Sequence, residues 1–132
     1  MVNETEAAAV LGRPVSGLAE AGQAATALIT AGARHAVVTA GAHGAALAPS
    51  TGPKGAPLTI EAFRIEAVDT VGAGDTFVGA LAVTLAAGVP AAEAVRAAAA
   101  AGATAATRPG AQAGMPHPAD ILATTGLVWP AG

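Results

Sequence analysis

The chain has 132 residues, of which 53% are hydrophobic and only 2% aromatic, so its core has to be built mainly from Ala, Val, Leu and Ile. This length suffices for one domain, although an Ala-rich core buries little area per residue and predicts modest stability. The net charge is −3 and charged residues make up 11%, which leaves no basic stripe for nucleic acid. The absence of cysteine excludes disulfides and thiolate chemistry and is consistent with a cytoplasmic location.

The first residues have neither the basic nor the apolar region of a signal peptide, so none is expected. No stretch free of turn residues reaches the length of a membrane span. The Ala-rich run from Ala91 to Ala106 contains Glu93 and Arg96, and it predicts a tightly packed helix. We therefore expect no contact with a membrane.

Two helices are predicted in the first third of the chain. The first extends from Asn3 to Leu11, because Asn3 can cap it and Glu6, three positions on, completes a capping box. The second extends from Gly17 to Ala31 and ends at Gly32. Its predicted buried face consists of Leu18, Ala21, Ala25 and Leu28.

The next third predicts short apolar strands separated by turns. The strands are expected at residues 36–40, 45–48, 58–63 and 65–68, with a glycine-bounded turn at 41–44 and an exposed loop at 49–57.

The last part predicts three helices. The first follows a loop at 69–74, extends from Asp75 to Ala87, and has Phe77, Leu81 and Leu85 on its buried face. The other two are expected at residues 91–106 and 119–125, with a loop at 108–118 and a tail at 128–132. Helices that alternate with short strands indicate an α/β layered domain, and no linker interrupts residues 1–132.

The run Gly72-Ala-Gly-Asp75 has the chemistry of an anion site. The first amides of a helix have no internal partner and carry partial positive charge, and glycine lets a ligand approach the backbone. Asp75 at the mouth of the site would accept a proton, as phosphoryl transfer to an alcohol requires. The pattern also fits a plain turn in which Asp75 only complements the helix dipole. Neither a P-loop nor a dinucleotide fingerprint is present.

A longer pattern surrounds this run. Asp69-Thr-Val-Gly-Ala-Gly-Asp-Thr-Phe77 resembles the C-terminal signature of the ribokinase-like (PfkB) sugar kinases. Asn3-Glu-Thr-Glu6 resembles the Asn-x-x-Glu motif of that family, and Thr39-Ala-Gly-Ala-His-Gly44 resembles its nucleotide turn. Thr107-Arg-Pro-Gly-Ala-Gln112 is similar to a stretch typical of ribokinases.

The resemblance implies a ribokinase-like layered α/β fold, of which residues 1–132 would be the C-terminal nucleotide-binding and catalytic portion. A complete family member is more than twice this length. The N-terminal sugar-binding part and its lid have no counterpart here. We therefore expect either a fragment of a longer kinase or a truncated product.

The resemblance also implies roles for particular residues. Asp75 would be the catalytic base that contacts the sugar hydroxyl, and the amides of Gly72, Ala73 and Gly74 would form the anion hole. Glu6 would organise the Mg²⁺ region, although a plain helix cap explains Asn3 and Glu6 as well. The nucleotide-binding set would be Asn3, Thr39, Gly41, Gly44, Gly74 and Ala99. Since Ala99 stands where ribokinases often have a polar residue, no specific adenine hydrogen bond is expected there.

Ribokinases use a monovalent cation such as K⁺ beside the anion hole, mostly through backbone carbonyls. The matching positions here are Asp69, Val71, Ala105, Arg108, Gly110 and Gly114. Position 114 is often serine in ribokinases, so this chain lacks a side-chain ligand at that point.

The function implied is ATP-dependent phosphorylation of a sugar hydroxyl, with ribose converted to ribose 5-phosphate. The expected ligands are ATP, Mg²⁺, K⁺ and a small sugar, and the full-length form is expected to be a homodimer. Two alternatives stay open: a truncated, non-catalytic nucleotide-binding module, and a structural α/β domain without a ligand.

Overall fold

The computed structural model describes residues 1–49 and 54–130. Its elements follow the order β1, α1, α2, β2, β3, β4, α3, α4, α5. Contacts divide the chain into two compact units, Met1–Ala62 and Phe63–Gly132. The first unit contains all four described strands, and the second contains the last three helices.

A four-stranded sheet organises the first unit, in the order β1 (Val2–Asn3), β2 (Val37–Thr39), β3 (Gly44–Leu47) and β4 (Leu58–Glu61). β1 and β2 are parallel, and the other two pairs are antiparallel. The parallel pair needs a crossover, which α1 (Glu4–Leu11) and α2 (Gly17–Thr30) provide. A single 3₁₀ turn, Gly41–His43, joins β2 to β3.

Small side chains form the core between these helices and the sheet. Because nearly every member is alanine, α2 approaches the sheet closely: a Cβ on Gly22 would lie 3.6 Å from Cγ2 of Thr59 in β4 and 3.1 Å from Cγ of Pro57, just before β4. The fully or nearly fully buried members are Ala7, Ala21, Ala24, Ala25, Ala36, Val38, Ala40, Ala46 and Ala48.

Both predicted helices of this unit are confirmed, and their ends follow local rules. At the start of α1, Asn3 Oδ1 accepts from the Glu6 N–H at 2.8 Å, and Glu6 Oε2 accepts from the Asn3 N–H at 2.9 Å. This is the predicted capping box. At the end of α2, Gly32 adopts a φ of 117° and donates to the Ile29 carbonyl, which closes the helix in a Schellman motif.

Three helices form the second unit: α3 (Ala73–Ala86), α4 (Ala91–Ala106) and α5 (Pro118–Thr125). α3 and α4 pack closely because Gly102 has no side chain. A Cβ at that position would lie 3.1 Å from the Ala73 carbonyl oxygen and 3.6 Å from Cβ of Phe77. Ile121 of α5 packs with Ala100 and Ala101 of α4. The prediction of α4 is confirmed at both ends.

The prediction for α3 was wrong in two respects. The helix begins at Ala73 rather than at Asp75, because Gly72 forms its N-cap. Its buried face contains Phe77, Leu81 and Thr84, whereas Leu85 is 46% exposed. In a helix, seven positions return to within roughly 20° of the same direction while eight overshoot by about 80°. The Thr84 hydroxyl is satisfied by donating to the Ala80 carbonyl at 2.8 Å, which makes its burial tolerable.

The strand predicted at residues 65–68 is also wrong. The N–H groups of Val68 and Asp69 both donate to the Ala106 carbonyl, at 2.8 and 3.1 Å, rather than to a neighbouring strand. Of the predicted loop at 49–57, residues 50–53 lie outside the described part, as do residues 131–132 of the predicted tail. Within the described ranges, no helix has the length and apolarity needed to cross a membrane.

Candidate active site

The N-terminus of α3 is built on Gly72, which caps the helix with a φ of 82°. This left-handed conformation favours glycine. Glycine is also required sterically at position 72, because a Cβ there would lie 2.8 Å from Cα of Ala111 in the loop after α4. No side chain caps this helix end.

Two amides at this end have no acceptor among the described residues, those of Gly74 and Asp75. The Ala73 N–H donates to the Thr70 carbonyl at 3.2 Å, and the Thr76 N–H starts the helical ladder on the Gly72 carbonyl at 2.9 Å. The Asp75 side chain is exposed in the first turn. Free donors, helix dipole and an exposed carboxylate therefore lie within four residues, an arrangement suited to receiving an oxyanion and a proton.

Asp69 joins the loop before α3 to the loop after α4. Its Oδ1 accepts from the Val71 N–H at 2.9 Å, and its Oδ2 accepts from the Gly110 N–H at 3.1 Å. These two donors, the Val71 amide foremost, hold the pKa of the Asp69 carboxyl below its ordinary value.

Three carbonyl oxygens converge on Gly114, which is buried. The position that a Cβ would occupy there lies 2.5 Å from the Gly110 oxygen, 3.4 Å from the Ala105 oxygen and 3.5 Å from the Arg108 oxygen. Hard carbonyl oxygens that share one small volume form a donor set suited to a cation without strong geometric demands. The structure thus brings together four of the six positions predicted for the monovalent cation, and Asp69 is hydrogen-bonded to one of them, Gly110.

The Arg108 guanidinium does not extend freely toward a ligand. It donates to Asp120 Oδ1 at 2.8 Å, and the other oxygen of Asp120 accepts from the His117 N–H at the start of α5. The hydrogen bond from Arg108, followed by that from His117, lowers the pKa of Asp120 to about 2. The side chain of Arg108 therefore anchors α5, while its carbonyl belongs to the cluster at Gly114.

Sequence reasoning missed two residues of this region. Thr76, next to Asp75, has a buried hydroxyl oxygen with no partner among the described residues. Ala111 packs against Gly72. The position of Thr76 beside Asp75 is a weak signal for its place in the site. Nothing in the sequence indicates that Ala111 contacts Gly72, a glycine 39 positions earlier. Ala99 is half-buried on α4, about 9 Å along the helix axis before Ala105.

The remaining predicted residues lie in the first unit, at the C-terminal ends of β1 and β2, in the turn after β2 and at the start of α1. Asn3 and Thr39 are directly paired across β1 and β2. The turn after β2 needs both of its glycines, since Gly41 has a φ of 53° and Gly44 a φ of 126°. A Cβ on Gly44 would collide with the Ile60 carbonyl oxygen and approach the Ala62 nitrogen to 2.8 Å. Exposed backbone thus lies beside the capping box of Asn3 and Glu6.

Protein ligands for a divalent metal are sparse. Among the residues that the structure describes, no group of three or more His, Cys, Asp or Glu side chains has metal-binding geometry. A Mg²⁺ ion here would depend on nucleotide phosphates and water for most of its ligands, which is its usual arrangement in kinases. Glu6 fits a supporting role, because only one of its carboxylate oxygens is taken by the Asn3 N–H.

Fold and site together define a mixed α/β protein with a glycine-capped helix N-terminus open to an anion. Residues 1–118 match the model of the pfkB family carbohydrate kinases, and the chain belongs to this family. This confirms the resemblance derived from the sequence, and the ribokinase-like fold with it.

The curated relatives and the solved structures that the chain resembles also support membership of this family. The chain is similar to ribokinase of Mus musculus, with 44% identity over 84 residues that cover 64% of this chain and 25% of the relative. It is 35% identical to ribokinase of Haemophilus influenzae over 120 residues, 91% of this chain and 38% of the relative. The structure of Arabidopsis thaliana ribokinase complexed with ribose and ATP superimposes with a TM-score of 0.79 at 32% identity, covering 92% of this chain and 38% of that one. The chain thus spans only about a quarter to two-fifths of the length of these relatives.

Proposed function

We propose that this chain is the phosphate-handling portion of an ATP-dependent sugar kinase, which transfers the γ-phosphoryl group of ATP to a sugar hydroxyl. The observation that carries the proposal is the N-terminus of α3, where free amides of Gly74 and Asp75 lie beside the exposed Asp75 carboxylate. Residues 1–132 would act as the C-terminal nucleotide-binding and catalytic portion of one kinase domain.

In this proposal Asp75 takes the proton of the attacking hydroxyl, and the amides from Gly72 to Asp75 hold the oxygens of the transferred phosphoryl group. Such donors act strongly because they are fixed before the charge develops. Among the predicted donors Gly74 is favoured, since the Ala73 N–H already donates to Thr70. The role of base is supported by the exposure of Asp75 and by its position in the first turn.

Within the first unit, ATP would contact the backbone turn of Thr39, Gly41 and Gly44, with Asn3 beside it. Within the second unit, Ala99 is the residue proposed to contact the nucleotide. Gly41 has open space where a Cβ would stand, which leaves the backbone there open to phosphate or ribose oxygens, whereas Gly44 lets the turn close against β4. Mg²⁺, with Glu6 in its surroundings, would offset the charge of the phosphates. A monovalent cation, K⁺ in the first instance, would bind the carbonyls around Gly114 with Asp69 and Val71, and would add fixed positive charge near the anion site.

Ribose is the favoured substrate, because the two curated relatives are ribokinases and one similar structure contains ribose and ATP. The reaction would then yield ribose 5-phosphate, in the cytoplasm and with a homodimer as the full-length form. The short coverage of the relatives favours a second candidate for the isolated chain, a nucleotide-binding module without catalysis.

Thermal unfolding with nucleotide tests the common part of both candidates. ATP with Mg²⁺ at 100 times its dissociation constant should stabilise the chain by about 2.7 kcal/mol, whereas AMP, which lacks the β- and γ-phosphates, should do so far less. An unfolding temperature that is unchanged by millimolar MgATP would contradict both the kinase and the binding module.

A further inference from the structure

We infer that Asp69 is a positioning residue, whose carboxylate clamps the loop before α3 to the loop after α4 and thereby sets the N-terminus of α3. The clamp itself is a property of the second unit, and only its consequence for phosphate rests on the proposed function.

The clamp consists of two hydrogen bonds that reach in different directions. The bond from the Val71 N–H at 2.9 Å is local and closes an Asx turn over residues 69–71. The bond from the Gly110 N–H at 3.1 Å joins positions 41 residues apart. One carboxylate thus fixes both the conformation of the loop before α3 and the position of the loop after α4.

Further contacts reinforce this junction. The N–H groups of Val68 and Asp69 donate to the carbonyl of Ala106, at the last residue of α4. Ala111, the neighbour of Gly110, packs against Gly72 so closely that a Cβ would be excluded. The segment from Val68 to Gly72 is therefore held by residues 106–111 along its length.

α3 depends on this junction because it has no capping side chain of its own. Helix ends without a cap fray, and the amides of the first turn then lose their fixed direction. The Asp69 carboxylate holds Gly110, and with it Ala111, against the N-cap residue Gly72. In this way it stabilises the start of α3 in place of a capping side chain. It holds the free amides of Gly74 and Asp75 in position.

The clamp also bears on the cation. Each carboxylate oxygen has two acceptor directions, so an amide on one direction leaves the other available to an ion. The Asp69 carboxylate can therefore hold both amides and still contact a cation.

Three variants of the full chain separate the contributions: Asp69→Asn, Asp69→Ala and, as a matched control, Glu66→Gln. Glu66 is exposed in the same segment and has no hydrogen-bond partner among the described residues. Amide hydrogen exchange followed by NMR is the first measurement. Asn offers one oxygen, so one of the amides of Val71 and Gly110 should lose protection; Ala should expose both, and Glu66→Gln neither.

The second experiment measures two quantities, each in KCl and in choline chloride. They are the NMR chemical shifts of the first amides of α3 and the dissociation constant for MgATP. In Asp69→Ala the signals of Gly74 and Asp75 should move and the dissociation constant for MgATP should rise roughly five- to tenfold in both salts. In Glu66→Gln both should match the wild type.

Unchanged protection of Gly110 in Asp69→Ala would overturn the clamp. Lost protection with unmoved signals of Gly74 and Asp75 would overturn the positioning role. If wild-type chain binds no MgATP, the proposed function fails while the exchange data still decide the clamp. If Asp69→Ala unfolds, Asp69→Asn, which keeps one of the two bonds, decides by the same measurements.

Discussion

Single glycines and carboxylates fix the geometry of the candidate site. Gly72 combines a left-handed conformation with a contact that leaves no room for a Cβ, and Gly44 is enclosed in the same way by the backbone of β4. Asp75 differs from both, because it is exposed and its carboxylate has no partner in the described part of the chain. The glycines therefore act on the shape of the site, whereas Asp75 is available for chemistry.

Replacing Gly72 with alanine should destabilise the chain by about 2 kcal/mol, through the strained backbone and the contact with Ala111. Urea unfolding measures the loss. Gly79 in the middle of α3 is the matched control, because it has open space and an ordinary φ. Gly79→Ala should stabilise the chain by roughly 0.5–1 kcal/mol. Equal effects of the two substitutions would contradict the special role of Gly72.

Asp75→Asn should lower the rate of phosphoryl transfer by about 10²- to 10⁴-fold while the affinity for MgATP stays nearly unchanged. The rate is to be measured in a chimera in which this chain replaces the matching segment of Haemophilus influenzae ribokinase. Glu93 occupies the first turn of α4 as Asp75 occupies that of α3, so Glu93→Gln controls for the helix dipole. Retained turnover in Asp75→Asn would rule out the role of base.

At the scale of elements, the helices of the second unit are connected through their ends. α3 and α4 approach closely at Gly102, and the ion pair of Arg108 with Asp120 joins the loop after α4 to the start of α5. Of the carbonyls around Gly114, that of Ala105 lies in the last turn of α4 and those of Arg108 and Gly110 lie in the loop that follows it. An intact α5 should therefore help to keep the candidate cation site in shape.

The contribution of the Arg108–Asp120 pair should depend on pH in a defined direction. The folded pKa of Asp120 is lowered from 3.8 to about 2, so its stabilising effect is present above pH 3.8 and is lost as the pH falls toward 2. Asp120→Asn should therefore be less stable than the wild type at pH 7, and the gap should narrow between pH 4 and pH 2. Urea unfolding at several pH values measures it, and a constant gap would contradict the assignment.

At the scale of the whole molecule, the proposed site handles phosphate, and the chain matches only about two-fifths of the length of ribokinase of Haemophilus influenzae. A sugar hydroxyl has to be aligned and shielded from water for transfer to compete with hydrolysis. Of the residues in the proposed site, only Asp75 would contact the sugar, at the attacking hydroxyl.

The isolated chain should consequently bind MgATP without measurable phosphorylation of ribose, while the chimera described above should form ribose 5-phosphate. A coupled assay of ADP release with and without ribose separates transfer from hydrolysis. Ribose-dependent turnover by this chain alone would show that the portion of the relatives that it does not cover is dispensable.

The sequence by itself determined the local features of this protein. The capping box of Asn3 and Glu6, the turn at Gly41 and Gly44, the helix from Ala91 to Ala106 and the family all follow from short-range patterns, because caps, turns and glycine conformations depend on neighbours in the chain. Such patterns can be recognised in the sequence without knowledge of the tertiary structure.

Tertiary structure alone decided which distant residues meet. Val68 and Asp69 have the composition of a strand end, yet their amides bond to Ala106. Leu85 lies four positions after the buried Leu81 but is exposed, while Thr84 is buried. The link from Asp69 to Gly110 spans 41 positions. Contacts of this range depend on how whole helices pack, and no local pattern encodes that packing.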